Sequence, residues 1–243
     1  MRPCRHTVLP VGENLKTGYC GWENTRDGRP VRYGNYPEID PGPEDTYCSY
    51  GVAWANASNT PFRKYKCWVH EGGISTPFIV HWPTGLNERN GIRTQPAQLP
   101  DVMATILDVT GSTYPERIGD RQIQPHEGFS LRDAFDNKRH AREVLTWEHE
   151  GKCGIRKGKW KLVREYIGAY HIENYPELAD RTPGEQPWEL YDIGNDRAEL
   201  HDLASKHPEI VEELDGKYRA WAERCSVRPW EEILQLRRTR QKG

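Results

Sequence analysis

A chain of 243 residues with 34 basic and 36 acidic side chains has a formal net charge of -2, so no global basic field points to nucleic acid or an anionic membrane. It is polar, at 35% hydrophobic and 29% charged. Nine Trp and twelve Tyr still supply enough core area for one large domain, or a domain plus a small appendage. There is no transmembrane run. The first residues also lack the apolar stretch of a signal peptide, so the compartment stays unknown. The six cysteines (Cys4, Cys20, Cys48, Cys67, Cys153 and Cys225) show neither CxxC nor zinc-ligand spacing. Their even number permits disulfides, and six unpaired thiols account for it as well.

In chain order, residues 1–58 are dense in Gly, Pro, Asn and Asp and read as a long loop. Its aromatics, Trp22, Tyr33, Tyr36, Tyr47, Tyr50 and Trp54, argue that part of it packs. Asn56-Ala57-Ser58 is a glycosylation sequon, of consequence only in a eukaryotic secretory setting. Asn59-Thr60-Pro61 is turn chemistry and leads into a basic stretch with Arg63, Lys64 and Lys66. His70-Glu71-Gly72-Gly73 then forms a turn, and Pro77–Trp82 reads as a short buried strand stopped by Pro83. Loops at strand ends commonly carry sites, and a lysine there can hold an anion. On the residues alone, a solvated basic surface explains the stretch slightly better.

Leu99–Gly111 predicts a helix: Pro100 suits the first turn, Asp101 favours the dipole, and Gly111 stops it. Val102, Ile106 and Val109, flanked by Met103 and Leu107, form its apolar stripe. A short helix is expected at Leu131–Phe135 and a strand at Glu143–His149. Cys153–Arg156 and Trp160–Arg164 flank Lys157-Gly158-Lys159 as a hairpin, and Trp188–Ile193 is a further strand. Strands without intervening helices imply an antiparallel sheet. Pro208–Cys225 is a helix with Ile210, Val211, Leu214, Tyr218 and Trp221 on one face. The basic Arg237-Arg238…Arg240 end reads as a solvated, frayed tail.

Several of these motifs, taken in order, resemble the sulfatase family. They are Lys66 with Glu71-Gly72-Gly73, Pro77 and Trp82-Pro83, then Gln98-Leu99-Pro100-Asp101-Val102-Met103. Glu127-Gly128-x-Ser130-Leu131, Arg156-Lys157-Gly158-Lys159-Trp160-Lys161-Leu162, Trp188-Glu189-Leu190-Tyr191-Asp192 and Asp196-x-x-Glu199-Leu200-x-Asp202-Leu203 follow. The resemblance runs from about residue 20 to the end and implies a C-terminal portion of an arylsulfatase-like protein. The implied fold class is α/β: part of an alkaline-phosphatase-like sandwich, then a small antiparallel sheet with a C-terminal helix. The implied division is a loop-rich segment at 1–58 whose first 20 or so residues are unmatched, the edge of the α/β domain at 59–140, and the antiparallel subdomain at 141–243. The implied reaction is hydrolysis of sulfate esters, aryl or carbohydrate, by a formylglycine nucleophile with a calcium ion. Lys66 would contact the sulfate as a catalytic residue, and His70 and His149 are candidates for substrate binding. Each histidine also has a structural reading, His70 as part of the turn and His149 as a surface ion pair.

The sequence departs from the family where the chemistry begins. No Cys or Ser opens a C/S-x-P-x-R motif, and the paired early aspartates are absent. Glu13-Asn14 is a poor substitute for the family's later Asp-Asn pair, so no metal ligand is assigned. The expectation is therefore a sulfatase-family chain, inactive alone, that lacks the formylglycine and calcium ligands. Its partners would be a sulfate-ester small molecule or glycan, and a separately encoded N-terminal half would complete it. The alternatives are a non-catalytic remnant serving interactions, and a phosphodiesterase or phosphonate hydrolase of the same fold. The family is often periplasmic or secreted.

Overall fold

The computed structural model describes residues 23–34, 36–48, 51–88, 90–138, 142–168 and 180–240. Side chains at 51, 52, 237, 238 and 240 are outside the description, as are Glu13-Asn14 and the cysteines at 4 and 20. Contacts divide the chain into two units, one ending at Thr76 and resuming at Thr146, the other running Pro77–Leu145. The architecture mixes helices with small sheets, as the α/β class requires.

In the first unit, β1 (Arg32–Tyr33) pairs in parallel with β2 (Thr46–Tyr47), and Tyr33 is buried against Val31 and Tyr47. A helix, α1 (Gly51–Asn59), then stands where the sequence reads as loop. Its Gly, Asn and Ser residues are weak helix formers and it carries no apolar stripe, so periodicity could not announce it. The described cysteines, Cys48, Cys67, Cys153 and Cys225, are all free thiols.

The body of this unit is a four-stranded sheet in the order β5 (Val144–His149), β6 (Lys152–Lys157), β7 (Trp160–Ile167), β8 (Gly184–Asp192). The β6–β7 and β7–β8 pairs are antiparallel. Pro187, which cannot donate to a ladder, sits on the outer strand β8. Strand periodicity sorts the side chains onto two faces. On one face Cys153 accepts a hydrogen bond from Tyr218 Oη at 3.0 Å, and Trp188 stacks edge-on to Tyr218 with centroids 5.8 Å apart. Tyr218 and the buried Leu214 belong to α5 (Pro208–Arg224), the expected amphipathic helix. On the other face Val163 and Tyr191 cluster with Val69 and Ile193, with Trp147 against them. This second face is covered by the basic loop. A final helix, α6 (Trp230–Arg240), replaces the frayed tail that composition suggested.

The second unit holds α3 (Leu99–Thr110), a tiny hairpin of β3 (Arg117–Ile118) with β4 (Arg121–Gln122), and α4 (Arg132–Phe135). The expected stop of α3 is present, with Gly111 in the left-handed region at φ 64°, and at the other end a capping box not expected from the sequence joins Gln98 and Asp101. Asp101 does more than favour the dipole. Fully buried, it accepts from the Gln98 N–H at 2.7 Å and the Phe129 N–H at 2.9 Å and pairs with Arg142. The strand expected at Pro77–Trp82 is not formed. The segment has no regular structure, and Phe78 is 57% and Ile79 88% exposed. A strand exists only by pairing its N–H and C=O groups, and among the described residues no strand lies beside this one. Phe78, Val80 and Trp82 instead border an apolar groove with Val102, Ile106 and Val109 of α3.

Candidate functional site

The basic loop after α1 is a compact arch held at many points. The Gly72 N–H donates to Arg63 O at 2.9 Å, the Trp68 N–H to Tyr65 O at 3.1 Å, and the Gly73 N–H to His70 O at 2.9 Å. The diglycine is required by close approach, not by positive φ. A Cβ on Gly72 would lie 2.2 Å from Lys64 O, and one on Gly73 would lie 2.1 Å from Trp68 O. Glu71-Gly72-Gly73 opens a one-turn helix, α2 (Glu71–Ile74). Lys64 and Cys67 take left-handed conformations, φ 65° and 77°, which non-glycine residues adopt only when their surroundings impose them.

Those surroundings are buried charges. Lys161 is fully buried, and its Nζ lies 2.9 Å from Glu71 Oε1 and 2.8 Å from Glu199 Oε1. The other oxygen of Glu199 accepts the Glu71 N–H at 2.7 Å. Arg197 approaches Glu71 Oε2 at 3.3 Å. Burial pushes the Glu71 carboxyl up, but Lys161, by charge and hydrogen bond, with Arg197 behind it, holds it below the ordinary range. Arg63 donates to Tyr191 Oη at 2.9 Å and to Glu199 O at 2.6 Å. Lys64 pairs with Glu165 at 3.0 Å while lying 4.2 Å from the Trp68 ring centroid.

The basic run Arg156–Lys161 looks in sequence like a solvated hairpin, but Lys161 is fully buried. Strand alternation turns this residue inward beside Val163, under the loop, where two carboxylates meet it. His70 does not face solvent either. Its side chain is fully buried, with Nε2 3.2 Å from Glu189 Oε2, and it makes no side-chain cap on α2. The geometry makes it an anchor of the loop.

Lys66 is different. Its side chain is exposed at the crest of the arch. Beside it lies Cys67, whose thiol converges with His149 and Glu150 so that one donor atom from each falls within 4.8 Å of the others. His149 ends β5 and is exposed, and Glu150 makes the turn into β6 with φ 53°. Lys152 is buried beneath, 5.1 Å from the Trp68 ring centroid. Desolvation pushes its ammonium down, against Glu150 and Cys67. The structure thus brings Lys66 and His149 to one edge and leaves His70 under the loop. Sequence reading missed the buried lysine and the cysteine, because only the fold brings together residues this far apart in the chain.

Calcium needs a shell of hard oxygens. Among the described residues the two convergent groups of possible ligands are Cys67–His149–Glu150 and His70–Glu165–Glu189. The first brings a thiol and an imidazole. In the second, Glu165 is met by Lys64 and Arg181 and Glu189 by His70, Arg63 and Tyr191. Neither suits calcium.

No family model matches the chain. Curated relatives do. An uncharacterized sulfatase of Schizosaccharomyces pombe is 30% identical over 189 residues, covering 76% of this chain and 31% of that protein. An N-acetylgalactosamine-6-O-sulfatase of Bacteroides thetaiotaomicron is 28% identical over 186 residues, covering 74% of this chain and 33% of the relative. A solved structure from work on glycosaminoglycan metabolism by Bacteroides thetaiotaomicron superposes with TM-score 0.49 at 25% identity, over 65% of this chain and 31% of that one. The chain spans about a third of the length of the curated relatives it matches, as a C-terminal portion would. It is related to the sulfatases. Among the described residues no helix is long and apolar enough to cross a membrane.

Proposed function

From this kinship with the sulfatases we propose that the chain supplies one wall of a site that hydrolyses sulfate esters, with Lys66 as the group that contacts the sulfate. The observation that carries the reading is the contrast within one loop. Arg63, Lys64, His70 and Glu71 are each anchored to protein, while Lys66 stands exposed above them. An ammonium held beside sulfate oxygens offsets the charge that develops on them in the transition state. The loop backbone on either side of Lys66 is hydrogen-bonded, which fixes where its side chain begins.

The nucleophile is the formylglycine of the family and comes from residues outside this sequence, as do the calcium ligands. The substrate is an aryl or carbohydrate sulfate, a class that includes glycans such as the one in the name of the Bacteroides relative. His149, exposed near Cys67 on the same edge, is the candidate to meet the ester's alcohol portion. Alone, the chain binds the anion weakly and does not turn it over.

Purified chain with calcium and an aryl sulfate ester is expected to show no turnover. Inorganic sulfate is expected to shift the amide resonances of Tyr65 to Trp68, and Lys66→Ala to abolish that shift with the melting temperature unchanged. Clear turnover that depends on Lys66 would overturn the inactivity. Sulfate shifts that survive Lys66→Ala would overturn the assignment of the contact.

A further inference from the structure

We propose that Cys67, His149 and Glu150 form a zinc-binding site at the edge where Lys66 is exposed. A thiolate, an imidazole and a carboxylate are a donor set suited to zinc, and three protein ligands leave the fourth position to water or substrate. In a tetrahedral site with bonds of about 2.0–2.3 Å the ligand atoms stand roughly 3.5 Å apart. Here all three lie within 4.8 Å of one another before any metal draws them in. His149 is exposed at the end of β5, so its ring has room to adjust as the metal binds. The other two ligands sit on imposed backbone. Cys67 has φ 77° in the arch, and Glu150 has φ 53° beside Gly151 at φ 80° in the β5–β6 turn.

The charges also balance. Thiolate and carboxylate together offset the two charges of zinc. Lys66 and Lys152 oppose a cation here, while the Glu148 carboxylate favours one. Zinc is bound by the thiolate, the deprotonated form of Cys67. Zinc binding therefore breaks the S–H bond, forms the Zn–S bond and releases one proton to solvent. The site is invisible to motif spacing because its ligands stand 82 and 83 residues from Cys67 along the chain.

The test uses the full chain with zinc and cobalt(II) salts. One equivalent of zinc is expected to bind with release of a proton. Cobalt is expected to give the thiolate charge-transfer absorption of a tetrahedral site. Cys67→Ser is expected to remove that absorption, and Cys67→Ser and His149→Ala each to weaken zinc by more than about 100-fold, since changes in the outer shell alone cost about 10–100-fold. His149 is on the surface, so its variant keeps the fold and decides the matter if Cys67→Ser does not. No stoichiometric binding, or binding that both variants leave unchanged and that therefore belongs to other cysteines, would sink the proposal. These readouts do not involve sulfate, so the zinc site and the sulfate contact fail separately.

Discussion

At the scale of single residues, the loop is governed by buried charge more than by apolar packing. Lys161 faces two carboxylates with no water to share the load. Removing one partner of a buried ion pair typically costs about 3–5 kcal/mol, because the charge left behind is uncompensated. Lys161→Met is accordingly expected to lower unfolding free energy by an amount in that range in urea titrations. A loss below about 1 kcal/mol would mean that the acids find other partners. Glu189 gives a pH signature. Burial raises its carboxyl, but hydrogen bonds from His70 and Tyr191 and the charge of Arg63 outweigh this and bring it from 4.5 to about 2. A carboxyl lowered by folding adds stability that is complete above its unfolded value and lost as pH falls towards the folded one. Melting temperature is thus expected to drop between pH 4.5 and 2, with at most about 3 kcal/mol from this group. Glu189→Gln should flatten that part of the profile, and an unaltered acid limb would show that the loss arises elsewhere.

At the scale of elements, what was legible in the sequence is what periodicity and caps encode. Helix α3 with Pro100, Asp101 and Gly111, helix α5 with its Leu214–Tyr218 face, and the β6–β7–β8 meander all stand where the residues place them. Three misses have separate causes. α1 has no stripe to read, the Pro77–Trp82 segment has strand composition without a strand beside it, and α6 is too polar to distinguish from a tail. The site was half legible. A basic loop with Lys66 could be picked out, but the partners of Glu71 could not, because a lysine at an inward strand position looks like any solvated lysine. Two glycines separate local from tertiary demands. Gly216 lies exposed within α5 with nothing near its missing Cβ. Gly216→Ala is expected to stabilise by up to about 1 kcal/mol through helix propensity. Gly72→Ala should destabilise, since its methyl would meet backbone carbonyls that cannot step aside. Thermal melts of the two variants moving in the same direction would refute this reading.

At the scale of the whole molecule, the unit Pro77–Leu145 exposes much apolar area. Phe78, Ile79, Leu99, Met103 and Ile106 are each at least half exposed, from 50% at Met103 to 88% at Ile79. Isolated apolar side chains on a surface are ordinary, but a grouped set favours self-association or dye binding. The chain is expected to bind a hydrophobic dye such as ANS in its folded state. Phe78→Ser with Ile79→Lys should reduce that binding without lowering the melting temperature, since neither side chain is buried. A variant that binds as much dye as the parent would place the apolar surface elsewhere.

The clasp of Glu71, Lys161 and Glu199 also sets an order of events in folding. Glu71 meets Lys161 across 90 residues and Glu199 across 128. Contacts this distant close late, because the entropy of the intervening chain must be overcome first. Until β7 and the segment carrying Glu199 are in place, Glu71 has no cation to justify its burial, and the arch above it has nothing to shape it. The loop that carries Lys66 therefore depends for its shape on the C-terminal sheet. A growing chain that has passed Lys66 but not yet reached Glu199 carries the residue without the geometry that gives it a purpose.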